Sequence, residues 1–365
     1  MMRITFVVPV LEISGGARII AGHAERLAAK GHEVLIVAPS QRQTIKQKIR
    51  TLVGRKNGPS YSSDKSHVAL SGVPFKFGAR AEQVTAFDVP DADVIIATWW
   101  ETAEWVWAMP PSKGAKFHFI QHYEAHPGQP AERVDAVWDL PFSKIAIAKW
   151  LIDLGRERFG IKQIALVPNS IDHDYFTRKR RSKGQPATVG FLFHGSDFKD
   201  MPTTITALNR LREMKPETRL RSFGATLPAP GQLPTNTEFD YLPSQSEIAK
   251  IYDECDAWLS TSISEGFNLP PLEAMASGCP AVCAKTGRPL EIIDDGVNGY
   301  LVNQGDGDGF AEALASIISL SDRAWMRMSE AAAAAVAHPT WEESSALFEH
   351  ALIQGIAARP AAITL

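Results

Sequence analysis

Short apolar runs along the chain alternate with longer stretches whose apolar positions recur at helical spacing. Arg3 to Val10 is a nearly continuous β-rich apolar run, the pattern of a strand covered on both faces of a parallel sheet. After a loop over Leu11 to Gly16, Ala17 to Lys30 places Ile19, Ile20, His23, Ala24, Leu27 and Ala28 on one helical face, and Gly31 stops that helix. Glu33 to Ala38 is a second strand, so the chain opens as a βαβ unit of the doubly wound kind. The rhythm continues at Asp93–Thr98, Lys116–Gln121, Lys144–Ala148 and Gln163–Pro168. It resumes at Thr188–Phe193, Arg219–Gly224, Thr237–Leu242, Cys255–Ser260, Pro280–Ala284 and Tyr300–Val302. Helices are expected from Met201 to Met214, from a capping box at Ser244 to Glu254, over Pro271–Ser277, Asp308–Leu320 and Ser321–Ala337, and finally over Trp341–Ile356.

A chain of 365 residues exceeds what one hydrophobic core supports, so two domains are expected. The break falls after Val167-Pro168-Asn169-Ser170-Ile171-Asp172, giving a first domain over 1–172, a polar, basic linker over 173–187, a second domain over 188–338 and a terminal helical segment over 339–365. The run Arg178-Lys179-Arg180-Arg181 in that linker reads as a solvated charge run. A net charge of −3 argues against nucleic acid as a partner. Three cysteines, Cys255, Cys279 and Cys283, sit in apolar surroundings and imply neither a disulfide framework nor a zinc site. The N-terminus has no signal-peptide layout and no apolar run reaches the ~18 residues of a membrane span, which points to a cytoplasmic chain.

The densest chemistry lies over Ser260 to Ser277, S-T-S-I-S-E-G-F-N-L-P-P-L-E-A-M-A-S, a strand-to-helix crossing. Backbone N–H groups at such a crossing lack intrahelical partners and point, with the positive end of the helix dipole, at whatever lies in front of them, and a diphosphate fits there. Glu265 and Glu273 place two carboxylates at this mouth, able to accept hydrogen bonds from sugar or ribose hydroxyls. The alternative is that both are ordinary acids favoured by a helix start.

The run Glu265-Gly266-Phe267-Asn268-Leu269-Pro270-Pro271-Leu272-Glu273-Ala274-Met275-Ala276-Ser277-Gly278-Cys279-Pro280 resembles the signature of the family 4 retaining glycosyltransferases, in which a Glu, seven residues and a second Glu precede A-M-A-S-G-x-P. The resemblance implies the α/β GT-B fold, two Rossmann-like doubly wound domains facing across a cleft. It implies transfer of a sugar from a nucleotide-sugar to a hydroxyl with retention, without a metal or other cofactor. Glu273 would then hold the ribose, and Glu265 with the backbone of Gly266, Phe267, Asn268 and Leu269 would face the donor sugar and diphosphate. The family's arginine and lysine that grip the donor phosphates fall at His194 and Lys199, so the arginine is replaced, and Asp200 stands where the family has glycine. In such folds the strand end at Tyr241 and Leu242 lies near the nucleotide base, with ordinary strand-end packing as the alternative, and the last helix crosses back onto the first domain. Gly287-Arg288-Pro289 is a further turn able to face a phosphate.

In the first domain, Gly15 and Gly16 let the backbone approach a donor or form a plain tight turn, and the missing third glycine disfavours a dinucleotide cofactor. Thr98 to Trp107 is dense in indole, for a core or for a flat face against a sugar. Asp91-Ala92-Asp93 precedes its strand and reads as a cap, so no metal is expected. The segments I-Q-H-Y-E at 120–124 and A-T-W-W-E-T-A at 97–103 resemble a subgroup of family 4 containing bacterial rhamnosyltransferases of cell-surface polysaccharide. His122 is the candidate for contacting reacting hydroxyls, while His118, inside a strand, is a packing residue. The acceptor so implied is a glycan or lipid-linked hydroxyl. The basic segment Gln41 to Lys65 is a solvated loop or, in the sharper alternative, a surface for peripheral contact with an anionic membrane at its inner face. A sugar-nucleotide epimerase and a nucleotide-sugar-binding protein without transfer activity are the rival functions.

Overall fold

The computed structural model describes residues 1–11, 14–40, 66–126, 128–179 and 181–358. They form two compact units, one of Met1–Asn169 with Glu342–Leu365 and one of Ser170–Trp341. The basic segment Gln41 to Lys65 lies outside the described residues.

The first unit holds a seven-stranded parallel sheet of β1 (Arg3–Val7), β2 (Glu33–Ala38), β3 (Phe75–Phe77), β4 (Val94–Ala97), β5 (Ala115–Ile120), β6 (Ser143–Ala146) and β7 (Ala165–Leu166). Their order is β3-β2-β1-β4-β5-β6-β7. The second holds six parallel strands, β8 (Thr188–Leu192), β9 (Arg219–Gly224), β10 (Thr237–Tyr241), β11 (Ala257–Ser260), β12 (Ala281–Ala284) and β13 (Gly299–Val302), in the order β10-β9-β8-β11-β12-β13. Both are doubly wound Rossmann-like sheets. Their order reverses between β1 and β4 and between β8 and β11, and ligands of open α/β sheets bind at the carboxyl ends of the strands at such a reversal.

The apolar runs became strands because both faces of each sheet are covered. Ile4, Phe6, Val94, Ile95, Ile96, Phe117 and Phe119 are buried in the first sheet, and Val189, Phe191, Leu259 and Val282 in the second. The departures from the sequence expectation include β3 and the first helix. β3 is a three-residue edge strand too short to register as a period. The first helix starts at Gly15, not Ala17, because Ser14 caps it by accepting from the Ala17 N–H at 3.1 Å. Gly15 and Gly16 are therefore its first residues and not part of the preceding loop.

The helix Trp341–Ala357 belongs to the first unit by its contacts. Phe348 stacks on His23 with centroids 4.5 Å apart, and the Ser344 hydroxyl donates to the Pro168 carbonyl at 2.6 Å. Glu349 pairs with Lys30 at 2.7 Å and His32 at 2.9 Å. Gly355 is required there, since a Cβ would lie 2.4 Å from the Phe117 ring.

The stretch 173–187, expected as a solvated linker, is packed onto the second unit. Asp256 is 0% exposed and accepts from the Gly184 N–H at 2.9 Å, the Thr188 N–H at 2.8 Å and the Arg181 guanidinium at 2.7 Å. Arg181 also lies 4.5 Å from the Trp325 ring, and Arg178 donates to the Ser329 hydroxyl at 3.0 Å. A buried carboxylate must be paired, and this one recruits Arg181 from the run read as solvated. Arg180 lies outside the described residues.

Burial makes the first unit acid-sensitive. It lowers the His23 and His118 imidazoles to about 3 and that of His67 to about 4, with cationic neighbours Arg26, Lys144 and Arg18 adding to the effect. The folded pKa lies below the unfolded one, so the stability is fully present above about pH 6.5 and is lost as pH falls toward 3. For a fully buried histidine the slope approaches roughly 1.4 kcal/mol per pH unit. Thermal melts from pH 7.5 to 4.5 should show Tm falling below pH 6.5, and His118→Leu, whose ring nitrogens have no hydrogen-bond partner, should flatten that fall. An unchanged slope in the variant would assign the acid sensitivity elsewhere.

Candidate nucleotide-sugar site

At the reversal point of the second sheet, the segment after β8 and the segment after β11 are tied together. The Thr261 hydroxyl lies 2.6 Å from that of Thr204 and 3.0 Å from the Asp200 carbonyl, and the Ile263 N–H donates to the Phe198 carbonyl at 2.8 Å. Across this tie, Lys199 Nζ lies 2.5 Å from Glu265 Oε1. The turn after β12 closes the other side of Glu265, where Gly287, at φ +63°, leaves no room for a Cβ: it would sit 2.9 Å from Glu265 Cβ. Arg288 follows, paired with Glu291 and 5.9 Å from the Phe267 ring.

Local chemistry explains the backbone. Asp200 adopts φ 49° and caps the helix Met201–Met214 by accepting from the Thr203 N–H at 3.3 Å. An aspartate tolerates the left-handed region better than most residues and supplies a cap that glycine cannot, which accounts for its place where glycine was expected. Asn268 takes the same region, at φ 67°, and its amide donates to the Ser260 hydroxyl at 2.9 Å, folding the segment back onto the end of β11. The helix that follows is Leu269–Ala276, two residues earlier than the prolines suggested. Pro270 and Pro271 have no N–H, so the backbone donors at this helix start reduce to Leu269, Leu272 and the preceding Gly266 to Asn268 segment.

Neither glutamate is an ordinary first-turn acid. Glu265 precedes the helix and is 9% exposed. Glu273 is its fifth residue, 4% exposed, and accepts from the Tyr252 hydroxyl at 3.1 Å. Tyr252 in turn packs edge-on against Trp258, with centroids 4.7 Å apart. His194, just beyond β8, accepts the Ser196 N–H on Nδ1 at 3.1 Å, and burial with the nearby Lys199 holds its imidazole below the usual range while Glu265 pulls the other way. His194, Lys199, Glu265, Phe267, Asn268, Leu269 and Glu273 thus collect at the carboxyl ends of β8 and β11. Tyr241 and Leu242 do not join them. They end the edge strand β10, with β9 intervening before β8, and are 48% and 40% exposed. Tyr252, Thr204 and Thr261 had no assigned role in the sequence expectation, and they act through partners 21 to 62 residues away where no local motif announces them.

In the first unit, Gly16 lies against Gln121, whose side-chain amide would be 3.6 Å from an added Cβ. His122 beyond β5 forms a ring cluster with His126 at 5.8 Å and Trp150 at 6.3 Å. The neighbouring Glu124 is buried and turned inward. It accepts the Trp100 N–H at 2.7 Å, and burial pushes its carboxyl well above the ordinary range. Trp100 is core and Trp107 is partly exposed. Asp93 accepts the Arg3 N–H at 2.7 Å and Asp91 pairs with Lys113 at 3.0 Å, both surface roles. Among the described residues, no group of three or more His, Cys, Asp or Glu side chains could hold a metal, and no helix is long and apolar enough to cross a membrane.

A paired lysine and carboxylate, a second buried carboxylate and a turn of backbone amides thus lie together at the reversal point of a doubly wound sheet, a set of donors and acceptors that could meet an anion bearing hydroxyl groups. Comparison with known proteins finds likenesses over part of the chain. Residues 176–335, somewhat less than half of the chain, match the family of glycosyl transferases group 1. A sucrose synthase of Acidithiobacillus caldus is 36% identical over 96 residues, covering 25% of this chain and 12% of that protein. A D-inositol 3-phosphate glycosyltransferase of Corynebacterium kroppenstedtii is 28% identical over 200 residues, covering 49% of this chain and 44% of that protein. The chain thus spans less than half the length of these curated relatives. The solved structure of Anabaena HepE in complex with UDP and glucose superposes with a TM-score of 0.72 at 16% identity, covering 97% of this chain and 100% of that one. This likeness shows the fold, two parallel-sheet Rossmann-like domains as in GT-B glycosyltransferases.

The backbone at Asp200 gives a direct test. Asp200→Ala removes the cap and leaves a Cβ residue in the left-handed region, costing about 2 kcal/mol, whereas Asp200→Gly loses the cap and relieves that backbone, for a net change of a few tenths. Urea denaturation of both variants should separate them by more than 1 kcal/mol, and equal losses would exclude the backbone as the cause.

Proposed function

We propose that this chain is a glycosyltransferase that binds a nucleotide-sugar without a metal and transfers its sugar to a hydroxyl with retention. The observation that carries this is the Lys199–Glu265 pair at the reversal point of the second sheet, inside the span that matches the group 1 family. Lys199 supplies a cation for a diphosphate, the amides of Gly266 to Leu269 supply donors, and Glu265 faces the sugar. Glu273 holds the ribose by exchanging its bond to Tyr252 for one to a ribose hydroxyl. A dianion competing for Lys199 loosens its bond to Glu265 and turns that carboxylate toward the anomeric centre. There the leaving phosphate takes the acceptor's proton on the same face, so the protein's share is placement and electrostatics.

The complex of HepE with UDP and glucose makes UDP-sugars the first donors to try. Gln121, His122, His126 and Trp150 at the carboxyl end of the first sheet supply polar and flat apolar surface for an acceptor sugar. The I-Q-H-Y-E and A-T-W-W-E-T-A segments favour a glycan or lipid-linked acceptor of cell-surface polysaccharide synthesis in the cytoplasm.

A thermal-shift panel of UDP, GDP, ADP and dTDP with their sugars tests donor binding, since a ligand at a hundred times its Kd adds about 2.7 kcal/mol. No shift from any of them, or a shift only with added Mg²⁺, defeats the proposal. The two glutamates should then separate. Glu265→Gln lowers kcat about a hundredfold while nucleoside-diphosphate affinity holds or rises, because Lys199 loses its competing carboxylate. Glu273→Gln raises KM and the nucleotide's Kd more than it lowers kcat. Steady-state kinetics and titration calorimetry read both, and an inverted anomeric product would rule out the same-face mechanism.

A further inference from the structure

Tyr252 and Glu273 lie on two packed helices of the second unit, Gln245–Glu254 and Leu269–Ala276, and the Tyr252 hydroxyl donates to Glu273 Oε2 at 3.1 Å. A hydroxyl that donates to a carboxylate settles at about 2.5–2.7 Å when both are free to approach. This chain makes such a bond elsewhere, from the Tyr123 hydroxyl to Asp135 at 2.6 Å. The longer bond is set by packing on the phenol side. Tyr252 is fully buried, with Trp258 edge-on at 4.7 Å, Phe176 at 5.6 Å and Phe223 at 6.0 Å. Trp258 is itself backed against β8, where a Cβ on Gly190 would lie 2.5 Å from its ring. The phenol is therefore fixed by its neighbours, and its bond to the carboxylate stays longer than its chemistry favours.

We propose that Tyr252 is a positioning residue that stands in for a ribose hydroxyl on Glu273, holding the carboxylate in place until a nucleotide displaces the phenol, and so lowering the affinity for ribose. This rests on the nucleotide-sugar proposal above and adds to it a competitor built into the site. A buried carboxylate is costly without a donor, so Glu273 needs a partner while no nucleotide is bound. A partner held at the ideal distance would resist exchange, whereas one wedged at 3.1 Å orients the carboxylate and yields. A ribose hydroxyl is not wedged and can close to the shorter distance, which gives the exchange its direction. Only hydrogen bonds change hands. The nucleotide gains its bond to Glu273 less the one that the phenol gives up.

The test is calorimetric titration of the full-length protein with UDP, GDP, ADP and dTDP, each beside its 2′,3′-dideoxy counterpart, which keeps the base and the diphosphate and lacks the ribose hydroxyls. The parent should bind the hydroxylated member of a pair more tightly. Tyr252→Phe, which keeps the ring and its packing, should tighten the hydroxylated member by about 3- to 10-fold, the worth of one hydrogen bond no longer given up, and leave the dideoxy Kd within about twofold. Because both ligands are titrated into one preparation, the ratio of their Kd values does not depend on how much of the variant is folded. A ratio that stays as in the parent or narrows would overturn the stand-in role, since the phenol would then be neutral to ribose binding or needed for it. Equal shifts in both Kd values would also overturn it, because they would report packing and not the ribose. The reading of Glu273 is checked separately by Glu273→Gln, which should bring the two Kd values together. A parent that binds both members equally, or binds no nucleotide, removes the ribose assignment of Glu273 itself, and the stand-in role with it.

Discussion

One ammonium and one carboxylate, Lys199 and Glu265, meet at the reversal point of the second sheet, and most of the surrounding structure exists to make them meet. A pair this far from water costs desolvation on both sides and is kept only where its geometry is fixed. Here it is fixed three times over. Thr261 binds the Lys199–Asp200 backbone to the end of β11, Gly287 admits the Glu265 side chain where any Cβ would displace it, and Asn268 turns the segment back onto Ser260. The pair is electrically near neutral as it stands. On the proposed function, an anion in front of it would compete with the glutamate for the lysine.

The strands were legible because parallel sheets covered on both faces leave unbroken apolar runs, and such runs need no partner information to be recognised. β3 was illegible for the converse reason. Phe75-Lys76-Phe77 is short, lies on the edge and is only half covered. The carboxylates of the site were legible from their spacing, yet their surroundings were not. Tyr252 reaches Glu273 from 21 residues away and Lys199 reaches Glu265 from 66, and no window of sequence contains both members of either pair. Asp256 shows the same blindness at its strongest. Read locally, Arg178 to Arg181 is a charge run for solvent; read with a fully buried carboxylate 75 residues on, its last member, Arg181, anchors the start of the second unit.

The first unit carries a comparable dependence on distant sequence. Its helix Trp341–Ala357 follows the whole of the second unit in the chain, yet Phe348 covers His23 and Gly355 sits on Phe117. An aromatic stacked on a buried imidazole excludes water from it and disfavours its charge, so the terminal helix helps to make His23 a neutral core residue. The histidines of this unit therefore divide by position in their strands and helices. His23 and His118 are enclosed and apolar in their behaviour, while His122, past the end of β5, stands in a ring cluster at the edge where ligands gather.

The helix beginning at Leu269 is often the feature credited with anion binding in such folds, through its dipole and its unsatisfied N–H groups. In this chain two of the first three helical residues are proline, and each removes a donor. An eight-residue helix with a depleted first turn offers an anion less than its geometry suggests. Other backbone donors lie upstream, at Phe267 and Asn268, where the direction is set by the left-handed backbone of Asn268 and its bond to Ser260. The backbone at the reversal point of the second unit is thus set by a constrained turn more than by a helix end. The prolines, which fix the helix's first φ angles, serve to hold that turn's far end still.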